Sequence, residues 1–127
     1  MNLLDASSIF NLFQRGKYNE LITGATNQLA RYEIGNVLWK SYKIRNEISK
    51  KEAMELGNVI FQLIDSMEQI KPSPDSILKL SLDEGITFYD SSYLVSAIES
   101  SYDFVTDDLK LYRFASSKVR TLKSSDL

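Results

Sequence analysis

Neither cysteine nor histidine occurs in this chain. The first absence excludes disulfides, zinc–thiolate sites and thiol catalysis. The second removes the commonest general base, every Ser–His pair and every histidine-ligated metal site. Chemistry must therefore run on carboxylates, hydroxyls, amines, guanidiniums or a bound metal. An excess of positive charge is also missing. Fifteen Lys and Arg stand against 17 Asp and Glu, for a net charge of -2 and a pI of about 5.2. No overall basic field exists to capture nucleic acid, so any such binding needs a local patch. No stretch approaches the roughly 20 apolar residues of a membrane span. The opening Met1-Asn2-Leu3-Leu4-Asp5 lacks the basic start and long apolar run of a signal peptide. A soluble cytoplasmic protein is the expectation. No internal repeat, low-complexity tract or linker divides the chain, and the Pro72-Pro74 stretch is too short to separate two domains.

What is present suits one domain over residues 1–127: 43% of the residues are hydrophobic, enough for a real core. Leu3-Leu4 reads as the end of a short buried strand. Ala6 to Gln14 follows as a helix, with Ile9, Leu12 and Phe13 at helical spacing and Gly16 as a stop. Glu20 to Thr23 reads as a second short strand ended by Gly24. From about Asn27 to Arg45 runs the clearest long helix, with Ala30, Ile34, Val37, Leu38 and Ser41 on one face. Glu33 flanks that face, and Asn36 and Lys40 lie on its side. Ser49 and Glu52 form a capping box that opens a third helix, whose stripe is Ala53, Leu56, Ile60, Leu63 and Ile64. Ile70 suggests a brief strand. Pro74 suits the first turn of a helix carried by Ile77, Leu78 and Leu82 and ended by Gly85. Ile86 to Tyr89 then reads as an apolar run ahead of a helix bearing Tyr93, Leu94, Ala97 and Ile98. Asp103 to Thr106 is a strand, Leu109 to Ser117 a helix, and Lys118 to Leu122 a last strand. Short strands alternating with helices predict an α/β fold with a central, mainly parallel sheet and helices on both faces.

Four acids stand out. Asp5, Asp90 and Asp108 each follow a short apolar run and open a helix, so three of the four are expected at strand-to-helix junctions. Glu33 sits beside a buried helical stripe. Singly, each has an ordinary role. The aspartates suit N-caps at the positive end of a helix, and Glu33 suits a solvated ion pair with Lys40 or Arg31. Asp107 competes with Asp108 for the last cap. Jointly, the pattern points elsewhere. Such junctions gather at the carboxyl edge of a parallel sheet, where ligands bind. Carboxylates converging there repel one another, and a divalent cation holds them together. An open all-oxygen site suits Mg²⁺ or Mn²⁺. Such an ion promotes phosphate-ester cleavage by lowering the pKa of bound water and neutralising charge in the transition state.

Leu4-Asp5-Ala6-Ser7, Tyr32-Glu33-Ile34-Gly35-Asn36-Val37-Leu38, Tyr89-Asp90-Ser91-Ser92-Tyr93-Leu94 and Val105-Thr106-Asp107-Asp108-Leu109-Lys110-Leu111 resemble the four motifs of PIN-domain nucleases. The resemblance spans nearly the whole chain, in order, and the short length is most similar to the VapC-type toxins of toxin–antitoxin modules. It implies a three-layer α/β/α PIN-like fold with four to five short strands. Asp5, Glu33, Asp90 and Asp108 match the family's acidic quartet, catalytic and metal-binding. Thr106, Ser7 and Asn36 match supporting polar positions, and Asp107 receives a secondary role. The family further implies a Mg²⁺- or Mn²⁺-dependent endoribonuclease, a homodimer, an RNA substrate and a small antitoxin partner. Arg31, Lys40, Lys43, Arg45, Lys110 and Arg113 are candidate phosphate contacts, with solvated helix surface as their ordinary alternative. Trp39, Tyr42, Phe61 and Ile64 suit core packing first, and a partner surface second.

Rival readings fail on specific residues. A receiver-like phosphoacceptor domain needs paired acids after the first strand, where only Asp5 stands. A haloacid-type phosphatase needs an Asp at the position held by Ser7. A PIN-like domain that only binds RNA or protein has no use for an intact quartet. A PIN-like nuclease of RNA processing outside a toxin system remains the nearest alternative.

Overall fold

Leu3 and Leu4 are both fully buried, yet they enter different cores, because neighbouring side chains on a strand leave opposite faces of the sheet. Phe104 and Val105 repeat the pattern on the adjacent strand. The computed structural model describes all 127 residues, Met1–Leu127. In chain order the elements are β1 (Asn2–Leu4), α1 (Ala6–Gln14), α2 (Tyr18–Ile22), β2 (Ala25–Thr26), α3 (Leu29–Lys43), α4 (Lys50–Ser66), β3 (Glu68–Gln69), α5 (Pro74–Glu84), α6 (Phe88–Ser100), β4 (Asp103–Val105), α7 (Leu109–Ala115) and β5 (Thr121–Leu122). A 3₁₀ turn, Ser124–Asp126, follows.

The five strands form one parallel sheet in the order β3-β2-β1-β4-β5. The chain moves from β1 to β2 and β3 on one side, then returns across β1 to place β4 and β5 on the other. The carboxyl ends of β1 and β4 therefore border the topological switch point, the place where open α/β sheets bind ligands. Helices α1 to α4 cover one face, around Leu4, Ile9, Leu12, Leu21, Ile34, Ile60 and Ile64. On the other face α6 and α7 supply Tyr93, Leu94, Ala97, Leu111 and Ala115 against Leu3 and Phe104. This is the expected three-layer α/β/α arrangement.

The structure corrects several local readings. Residues 18–22 are helical with only Leu21 buried, and the strand expected at 20–23 lies at Ala25–Thr26 instead. Leu21-Ile22-Thr23 resembles a strand by propensity, but pairing with β1 and β3 selects the smaller residues downstream. Gly24 makes that turn possible, because a Cβ there would stand 2.5 Å from Leu4 Cδ1. No strand occupies 86–89. Thr87 is the N-cap of α6, its hydroxyl accepting from the Asp90 N–H at 3.0 Å, so Asp90 lies inside the first helical turn. The brief strand near Ile70 is Glu68–Gln69, and the Ile70 N–H prolongs its ladder by donating to the Thr26 carbonyl at 2.8 Å. The last strand holds only Thr121–Leu122. Leu78 and Leu82 do not anchor α5, being 49% and 75% exposed, and Ile77 alone is buried there. Trp39 and Tyr42 are exposed, whereas Ile64 is core and Phe61 packs against it. The capping box at Ser49 and Glu52 is present with both bonds, each 3.0 Å.

Candidate active site

Asp5 stands one residue past β1 and caps α1, accepting from the Ser8 N–H at 3.0 Å. Three hydroxyls surround the same carboxylate. Ser7 Oγ donates to Oδ1 at 2.7 Å, and Thr106 Oγ1 donates to Oδ2 at 2.5 Å. The Ser8 hydroxyl lies 3.0 Å from Oδ1 and 2.9 Å from the Val105 carbonyl; its single hydrogen serves one acceptor at a time. Thr106 also accepts from the Asp108 N–H at 3.2 Å. One hydroxyl thus joins the acid after β1 to the acid after β4. Burial raises the Asp5 pKa to about 6, although the bonds from Thr106, Ser8 and Ser7 pull the other way.

Glu33 projects from the second turn of α3 and accepts from the Tyr93 hydroxyl of α6 at 2.7 Å. Burial raises its pKa; the Tyr93 bond opposes this and the charge of Asp90 adds to it. Asp90 is likewise raised by burial and by the charge of Asp108, with Lys110 and Thr87 pulling it down. Tyr93 is driven far above the ordinary phenol value by burial and then by the Glu33 charge, so its hydroxyl is a fixed donor. Asp108 caps α7 through the Leu111 N–H at 3.0 Å. Asn27, buried just ahead of α3, ties the start of that helix to α6. Its Oδ1 accepts from the Leu29 N–H at 2.9 Å, and its Nδ2 donates to Ser96 and Ser92 of α6 at 3.2 and 3.3 Å.

The four acids line one open cleft of about 490 Å³, together with Ser7, Asn36, Lys40, Tyr32, Tyr89 and Tyr93. Asp5 follows β1 directly, Asp108 stands three residues past β4 as the cap of α7, Asp90 lies in the first turn of α6 and Glu33 in the second turn of α3. No three acids stand close enough to enclose an ion as a tight cage. The donor set itself fits Mg²⁺ or Mn²⁺: it is all oxygen, three members are partly or wholly desolvated, the charge of Asp90 acts on Glu33, and that of Asp108 acts on Asp90. An open arrangement suits an ion that keeps several waters and takes few carboxylates.

Other expected residues are placed differently. Thr106 is fully buried behind Asp5 and does not line the cleft. Asp107 points away: its carboxylate accepts from Asn11 Nδ2 at 2.7 Å, the Ser124 N–H at 2.8 Å and Ser124 Oγ at 2.5 Å. It caps no helix. Its own N–H donates to Ser7 Oγ at 3.0 Å. Arg31 is engaged by Asp65, and also lies 3.5 Å from Gln69, so the expected pairing with Glu33 is absent. Lys40 is the one basic side chain lining the cleft. Lys43, Arg45, Lys110 and Arg113 are exposed and outside its lining. The sequence reading missed Ser8, Asn27 and Tyr93 as site residues. Only Thr87-x-x-Asp90 and Asn27 ahead of a helix carried a legible signal, that of capping.

No family model matches the chain. It is 30% identical over 115 residues to a curated protein named exonuclease VapC9 from Pyrobaculum aerophilum, across 86% of this chain and 81% of that one. Among solved structures it is similar to PAE2754 from Pyrobaculum aerophilum, with a TM-score of 0.82 and 24% identity over 98% of this chain and 91% of that one. VapBC-1 from nontypeable Haemophilus influenzae has a TM-score of 0.61 at 12% identity, covering 98% of each chain. FitAcB from Neisseria gonorrhoeae has a TM-score of 0.65 at 16% identity, covering 100% of each.

Proposed function

Since this chain belongs to the VapC family of PIN-domain proteins, we propose that it is a divalent-cation-dependent ribonuclease that cuts RNA phosphodiesters in the carboxylate cleft. The carrying observation is the convergence of Asp5, Glu33, Asp90 and Asp108 from four distant stretches beside the sheet's switch point. Mutual repulsion among desolvated carboxylates is a cost that a cation removes. Asp5, Asp90 and Asp108 would hold a Mg²⁺ or Mn²⁺ ion, with Glu33 as a further ligand or as the group that orients water. Such an ion, when bound, supplies a more acidic water and neutralises charge developing on the phosphate.

The chain's own groups prepare the site. Ser7, Ser8 and Thr106 fix both oxygens of Asp5 before any substrate arrives. Fixed dipoles aimed at a charged centre need no reorganisation during reaction. Tyr93 holds Glu33 in one rotamer. Lys40 and Asn36 stand at the rim, where a phosphate oxygen needs donors. Histidine is absent, so protons leave through carboxylates or solvent.

A cleavage assay on total RNA with Mg²⁺ or Mn²⁺, wild type beside Asp90→Asn, tests the reading. Loss of cleavage in the variant is expected, and equal cleavage by both would overturn the role of Asp90. Mapping product ends also decides how the strand is cut. Internal cuts are expected from a cleft open to solvent. Removal of terminal nucleotides is the second reading, favoured by the name of the 30% identical relative.

The same proposal extends to partners. The named neighbours VapBC-1 and FitAcB support a small antitoxin partner. Trp39, Tyr42, Met54 and Val59, all exposed on α3 and α4, provide apolar area for it. Exposed Leu78 and Leu82 on α5 suit the contact of a homodimer. Co-purification with a small protein, and the mass of the isolated protein in solution, test the two separately. No helix is long and apolar enough to cross a membrane.

A further inference from the structure

A second cavity, of about 880 Å³, adjoins the acidic cleft and shares Leu29, Tyr32 and Tyr89 with it. The two are therefore neighbours across these three side chains, and they differ in character. No acid lines the larger cavity, and its one charged residue is Lys71. Ile77 is buried in its wall, and Pro72 and Pro74 stiffen its rim. Tyr32, Tyr89 and Phe88 line it while 75%, 60% and 44% exposed. None of these rings stacks on another aromatic; the chain's one aromatic pair is Phe13–Tyr18. Aromatic faces left open beside a cation are the means by which proteins hold unpaired bases.

We infer that this cavity is a base-binding subsite: it takes an unpaired nucleobase of the RNA strand, next to the phosphate held over the acids, on the rings of Phe88, Tyr89 and Tyr32. Lys71 meets the backbone of the same nucleotide. The inference rests on the ribonuclease reading and deepens it. A strand whose phosphate lies at Asp90 must continue somewhere, and the shared residues Tyr32 and Tyr89 lead it into the larger cavity. A base paired in a duplex has both faces covered by its neighbours and gains nothing there. The site therefore selects single strands and gives the cut a base preference. Adjacency to the acids, together with an acid-free lining and Lys71, favours a nucleotide over an apolar protein segment or a second copy of the chain.

Phe88 lines the larger cavity and not the acidic cleft, so it separates the two functions. The probe is a short fluorescein-labelled single-stranded RNA, bound by wild type, Phe88→Ala and Phe88→Trp in EDTA. Phe88→Ala should weaken binding about tenfold, the scale of one lost stacked base. Phe88→Trp should restore it, and the annealed duplex should not distinguish the three. Circular dichroism verifies that each variant is folded, and Lys71→Ala gives a second, milder loss. Equal affinity of folded wild type and Phe88→Ala would overturn the inference. So would a change in oligomeric state or in a co-purified protein without a change in RNA affinity, since the cavity would then belong to a protein contact. Phe88-dependent binding without any cleavage in Mg²⁺ or Mn²⁺ would sink the ribonuclease reading and keep the base site. Cleavage by Phe88→Ala with unaltered KM and base preference would do the reverse.

Discussion

The Tyr93 hydroxyl donates a 2.7 Å hydrogen bond to Oε1 of Glu33, across 60 residues of sequence. It joins α3 to α6 beside the cleft, and Asn27, two residues ahead of α3, ties the start of that helix to Ser92 and Ser96 of α6. Removing the donor leaves a half-buried carboxylate without a partner. Tyr93→Phe keeps the ring in the core, so the fold should persist. Cation affinity should fall by about tenfold or more, the usual effect of losing a group that orients a ligand. The lost bond also lets the Glu33 pKa rise further, because that bond is what opposes burial. The acid limb of the activity profile should move to higher pH. Calorimetric titration with Mn²⁺ and a pH–rate profile read the two effects, and an unchanged profile would show that Glu33 does not depend on Tyr93.

Asp5 gives the protein a pH-dependent stability of defined sign. Its pKa rises from 3.8 to about 6 on folding, so the folded state prefers the protonated acid. Protonation is complete in both states below the unfolded value, and no cost arises there. The cost of ionising a buried carboxylate grows as pH climbs through that window, and stability falls. A shift of this size corresponds to about 3 kcal/mol at most. In EDTA, melting temperature should therefore drop between about pH 4 and pH 7 on account of this group. Asp5→Asn should flatten that slope, whatever it does to absolute stability, since an amide nitrogen cannot accept from Thr106. A slope as steep in the variant as in wild type would assign the pH dependence to other acids.

The strand ends were legible because Leu3-Leu4 and Phe104-Val105 are short apolar runs, each closely followed by an acid. Their acids, Asp5 and Asp108, fell where the sequence put them. β2 was not legible: Ala25-Thr26 carries no strand signal, and only hydrogen bonding to neighbours on both sides makes it one. Ile86-Thr87-Phe88-Tyr89 resembles a strand ahead of Asp90 by its β-prone residues, but Phe88 and Tyr89 are exposed and Thr87 caps a helix instead. Contacts such as Tyr93 to Glu33 or Arg31 to Asp65 depend on how helices are brought together, which local pattern does not encode.

A cation should stabilise the wild type and leave Asp90→Asn nearly indifferent. Without metal, the variant escapes the repulsion between Asp90 and Asp108, so it should melt no lower than wild type. Adding Mg²⁺ or Mn²⁺ should raise the wild-type melting temperature in proportion to saturation. The order of the two proteins then reverses on titration. Parallel responses of both proteins to the metal would remove Asp90 from the ligand set.

Asp107 and Asp108 are adjacent in sequence and separable by experiment. The Asp107 carboxylate ties the buried Ser124 and the side chain of Asn11 together, closing the chain end onto α1. Asp107→Ala leaves those donors unpaired, at about 1–3 kcal/mol for each buried group. Its backbone N–H still reaches Ser7, so the support of Asp5 survives. The variant should melt well below wild type and retain most of its specific activity at low temperature. Asp108→Asn should behave oppositely, because the amide oxygen still caps α7 while the charge in the cleft is gone. Thermal melts and cleavage rates on the same two preparations give the comparison. Loss of activity in Asp107→Ala at full stability would place that acid, rather than its neighbour, at the cation.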